Sequence, residues 1–76
     1  MLGSVIADPD TAKRVSELML RITAELNESV KMAQGNLPPD EFSKYRRSVG
    51  AIMAEILEVI NPLYAAHPRL KPPGFD

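Results

Sequence analysis

Two consecutive prolines, Pro38 and Pro39, divide the chain into two stretches that carry the same kind of apolar stripe. A proline pair stops a helix arriving from the N-terminal side, because proline lacks an amide donor and forces the residue before it out of helical geometry. Ahead of the pair, apolar or small residues recur at Ala12, Val15, Met19, Ile22, Leu26, Ser29 and Ala33. Beyond it they recur at Phe42, Tyr45, Val49, Ile52, Ile56, Val59 and Leu63. Both rows alternate spacings of three and four, which places each on one face of a helix. The short connection makes the two helices antiparallel neighbours. The fold class is therefore all-α, an antiparallel two-helix hairpin forming a single domain over 1–76.

The ends of each helix are marked. Asp8 can accept backbone amide hydrogen bonds, Pro9 suits the first helical position, and Asp10 complements the positive end of the helix dipole. Gly35-Asn36 offers a left-handed exit. These signals predict helix 1 over about 9–34, a turn at 35–38 and helix 2 over about 39–60. Pro62 removes a hydrogen bond to the carbonyl of Glu58, so helix 2 is expected to kink there, or to break at 61–62 and restart with Asn61 as cap. A last turn then runs to 66, with a Pro-rich extended C-terminal tail over 67–76. Gly50 with Ala51 can mark a close helix crossing.

Folding the rows back on each other sets Ala33 opposite Phe42, Leu26 opposite Val49, Ile22 opposite Ile52, Met19 opposite Ile56, Val15 opposite Val59 and Ala12 opposite Leu63. Ser29 falls opposite Tyr45, close enough for their hydroxyls to bond. In this register Glu28 lies near Arg46 and Arg47, and Glu55 near Arg21. Lys13, Glu17, Arg21 and Glu25 follow at intervals of four along the outer face, a spacing that supports exposed helices.

A chain of 76 residues without cysteine has few ways to supplement a small core. Disulfides and thiolate metal sites are closed to it. Apolar residues also exceed what one hairpin seam can use: Leu18, Val30 and Met32 on helix 1, and Met53, Leu57, Ile60 and Tyr64 on helix 2. Pairing two hairpins face to face would bury that surplus in a four-helix bundle, and a two-fold homodimer is the commonest way to do so. The expected self-association face is Leu18, Met53, Leu57, Ile60 and Tyr64. The competing arrangement has the tail fold over the surplus within one chain.

Several function classes are disfavoured. A net charge of −1 and a pI near 5.7 give no general attraction for nucleic acid or anionic membrane. The basic cluster Lys44-Tyr45-Arg46-Arg47 is balanced by Asp40, Glu41 and Glu28. No apolar run approaches the roughly 20 residues of a membrane span, and the amino end lacks a charged leader, so a cytoplasmic location is expected. No serine stands in a nucleophile elbow or phosphate loop, so no catalytic residues and no cofactor are assigned. A carboxylate metal site would draw on Glu55, Glu58 and His67, although the Glu-x-x-His spacing typical of metal-binding bundles is missing. The tail carries His67, Pro68, Leu70, Pro72 and Phe75. Prolines limit the entropy lost on docking, so these residues can contact either the chain's own bundle or a partner protein.

The stretch Phe42-Ser43-Lys44-Tyr45-Arg46-Arg47-Ser48-Val49-Gly50, with Asn61-Pro62-Leu63-Tyr64 and His67-Pro68-Arg69-Leu70-Lys71-Pro72, resembles short uncharacterised proteins of Gram-negative bacteria. The resemblance covers helix 2 and the tail. It implies a bacterial, cytosolic protein and carries neither an activity nor site residues. The expected function is a non-enzymatic protein-protein interaction module, a small regulator, adaptor or chaperone-like factor acting as a homo-oligomer. The alternatives are a metal-binding bundle and a polymerising hairpin component.

Overall fold

A computed structural model describes residues 6–73. Its two helices, α1 (Pro9–Asn36) and α2 (Pro39–Ala66), pack against each other as a hairpin, and a 3-10 turn follows at Pro68–Leu70. Asp8 caps α1: its carboxylate accepts from the Thr11 amide at 2.8 Å and from the Thr11 hydroxyl at 2.7 Å. The same hydrogen bonds, hydroxyl first and amide second, hold the Asp8 carboxyl below its ordinary pKa of 3.8, and the charge of His67 adds to the effect.

At its other end α1 runs two residues past the predicted stop. Gly35 and Asn36 stay helical, with Asn36 Nδ2 donating to the Met32 carbonyl at 2.8 Å. The chain leaves through Leu37, extended at φ −115° and ψ 148°, rather than through a left-handed glycine. The cause lies in the next residue, since Pro38 excludes the helical region for Leu37. Asp40 and Glu41 place negative charge in the first turn of α2. Helix α2 then continues through Pro62 to Ala66, so the expected restart at Asn61 does not occur. The helical Gly50 is exposed, and a Cβ built there meets nothing within 4 Å, so it marks no close crossing.

The core contains Ala12, Ala33, Val49, Ile56, Ile60, Leu63 and Tyr64, with Ser16 buried among them. Met19, Ile22, Leu26 and Leu70 pack onto the cluster of Ile56, Ile60 and Tyr64. The predicted α1 row is buried or half-buried throughout. The α2 row departs from prediction: Ile52 and Val59 face outward, while Met53, Ile60 and Tyr64 turn inward. A strict seven-residue repeat drifts by about 20° per heptad on a straight helix. Over the two heptads from Tyr45 to Val59 that drift carries one edge of the row off the facing helix, while Val49, Ile56 and Leu63 stay in the seam and Met53, Ile60 and Tyr64 join them.

The ion pairs expected from the register do not form. Glu28 pairs with Lys31 at 3.4 Å instead of with Arg46 or Arg47. Glu55 and Arg21 remain apart.

Candidate functional site

Two hydroxyl bridges fix how the helices are rotated against each other. Ser29 and Tyr45 share a hydrogen bond of 2.7 Å near the turn, as the register anticipates, and Ser29 also donates to the Leu26 carbonyl at 2.7 Å. Ser16 and Tyr64 share a buried one of 2.6 Å toward the open end. Apolar periodicity does not single out Ser16, but it follows Ala12 by one turn, a second small residue able to admit an aromatic ring.

With Tyr64 drawn inward, three of the exposed apolar residues, Leu18, Ile52 and Val59, fall on one flank, while Met32 and Leu57 are exposed elsewhere. A groove of about 460 Å³ runs between Tyr45 of α2 and Leu18, Ile22, Leu26 and Ser29 of α1, with Arg21 and Glu25 at its rim. Tyr45, Ile52 and Val59 are spaced by seven, two helical turns, so Ile52 and Val59 continue the row that Tyr45 begins. Ile52 is 48% exposed, Val59 39% and Leu18 43%. Glu55 and Glu58 lie further round α2.

The residues expected to mediate self-association therefore divide. Leu18 lies on this flank. Ile60 and Tyr64, 1% and 5% exposed, are spent inside the hairpin, and Met53 is half-buried. Leu57 is exposed, but it sits about 140–160° around α2 from Ile52 and Val59, on the opposite side. Periodicity alone places the row Ile52–Val59 in the seam, whereas both side chains are exposed.

The tail residues are engaged with their own chain. His67 Nε2–H donates to the Ile6 carbonyl at 2.7 Å, tying the segment before α1 to the end of α2. Leu70 packs on the core cluster, and its amide donates to the His67 carbonyl at 3.0 Å. Pro68 opens the 3-10 turn and is exposed, Pro72 is half-buried, and Phe75 lies outside the described residues. Asp10, Lys13, His67 and Arg69 ring an open hollow of about 520 Å³ floored by Pro9 and Leu70. Its charges are mixed in sign, and Asp8 already occupies the α1 N-terminus.

Among the described residues no three acidic or histidine side chains gather as a metal site, so Glu55, Glu58 and His67 do not converge. Contrary to the sequence expectation, α2 contains an 18-residue stretch of mean hydropathy 1.4 with at most two charged residues, enough by length and composition to cross a bilayer. Only 22% of that stretch is buried within the chain, leaving most of its surface without cover. No family model, curated protein or solved structure matches the chain.

Proposed function

We propose that the chain is a non-enzymatic interaction module that works as a homo-oligomer, pairing hairpins through the flank of Leu18, Tyr45, Ile52 and Val59 into a four-helix bundle. The observation that carries this reading is the exposed aliphatic row Ile52–Val59 beside a groove that Leu18 borders. Burying a large aliphatic side chain is worth about 1.5–3 kcal/mol, so a chain with this small a core gains much from covering three of them.

A second copy suits this flank better than a lipid bilayer does. Glu55 and Glu58 interrupt the apolar surface of α2, whereas a membrane span is apolar all round. Light scattering across a concentration series tests the reading. A dimer or tetramer with the helicity of a folded hairpin supports it. A monomer at every concentration, or partition into neutral lipid vesicles in preference to self-association, overturns it.

A further inference from the structure

The groove on this flank carries one cation and one anion at its rim. Arg21 and Glu25 both stand at the rim of the groove, exposed and four residues apart, yet they form no ion pair with each other or with any other described residue. A two-fold contact between identical surfaces brings residue i against j of the partner and j against i. A pair of opposite charges on one helix face is complementary to itself under that operation.

Two independent rows place the axis at the same height. On α2 the midpoint of Tyr45 and Val59 is Ile52. On α1 the midpoint of Arg21 and Glu25 is Thr23. The Ser29–Tyr45 bond sets the level of one helix against the other. Seven residues on from Tyr45 is Ile52 and seven back from Ser29 is Ile22, so Ile52 stands level with Ile22, one residue from Thr23.

We infer that the partner on this flank is a second copy in antiparallel register about an axis through Ile52 and Thr23, locked by Arg21 of each chain against Glu25 of the other. Ile52 then meets its own counterpart, and Tyr45 meets Val59 of the other chain. This rests on the self-association proposed above and adds its geometry and partner specificity. The apolar rows hold the two hairpins together, and the crossed charges choose the register.

Paired charge variants test it. Arg21→Glu gives a chain with two acidic residues at the rim, and Glu25→Arg gives one with two basic residues. Each alone should retain wild-type helicity by circular dichroism while its dimer dissociation constant rises about tenfold. Mixed in equal amounts, the two should form a heterodimer by native mass spectrometry, because both crossed contacts become attractive. Like charges within each chain cannot produce that result. The double variant R21E/E25R should dimerise with itself as the wild type does, which keeps the test decisive where a single variant folds poorly. The register is overturned where either single variant dimerises as tightly as the wild type, or where mixing gives no heterodimer. A wild type that is itself monomeric would instead sink the self-association reading and this one with it.

Discussion

Ser16 and Tyr64 lie forty-eight residues apart and share a buried hydrogen bond of 2.6 Å between α1 and α2. It is the contact that turns the C-terminal half of α2 toward α1. Replacing Tyr64 by Phe strands the Ser16 hydroxyl in the core, and an unsatisfied buried group costs about 1–3 kcal/mol. Chemical denaturation should show a loss of that order for Y64F. In S16A/Y64F both hydroxyls are gone, and the loss should be smaller than the sum of the two single variants.

The outer flank should respond in mass, not in fold. Ile52→Lys combined with Val59→Lys is expected to give a helical monomer by light scattering at concentrations where the wild type associates. Leu57→Lys, on the opposite side of α2, should leave the mass unchanged. Ile60→Lys should unfold the hairpin, because that side chain is 1% exposed.

Much of this was legible in the sequence and some was not. The Pro38-Pro39 break, the capping signal at Asp8 and the 3–4 spacing gave two antiparallel helices with their ends nearly placed. The Ser29–Tyr45 bridge followed from counting residues back from the turn. The register could be counted only where the turn anchors it. Farther along, the difference between a period of 3.5 and one of 3.6 accumulates, and sequence spacing alone does not say when the seam steps from Ile52 to Met53 or from Val59 to Ile60. That step exposed Ile52 and Val59 on one side of α2, while Leu57 stayed exposed on the other. The exit falls at Leu37 because the restraint that Pro38 imposes on the residue before it outweighs the glycine signal at Gly35.

Gly50 is a helical glycine with open space where its Cβ would be. Gly50→Ala should therefore stabilise the protein by about 0.5–1 kcal/mol, read as a rise in melting temperature with unchanged helicity.

Asp8 sets an acid limit. Its carboxyl is held below 3.8 in the folded chain, so the folded state is favoured by the ionised form. The contribution is complete above about pH 5, and it is lost as the pH falls through the ordinary carboxylate range to the lowered folded value. The melting temperature of Asp8→Asn should fall less between pH 5 and pH 2 than that of the wild type. Thr11→Val should show a similar flattening, because Thr11 supplies the hydroxyl bond.

The C-terminal segment acts as a strap. Truncation after Ala66 should leave the helical content of α1 and α2 largely intact and lower stability by about 1–3 kcal/mol, chiefly through loss of Leu70 from the core cluster. Leu70→Ala should reproduce most of that change.

The bond from His67 to the Ile6 carbonyl also decides where anything attached to this hairpin must go. Polypeptide entering at Ile6 and polypeptide leaving beyond the strap share one pole of the molecule, while the Leu37-Pro38 turn forms the other. Two reporters attached at Ile6 and at His67 would sit side by side and transfer energy efficiently, and a reporter inserted at the turn would sit most of the 44 Å long axis away. Used as a building block, the hairpin is a clamp that brings two flanking segments together and not a rod that holds them apart.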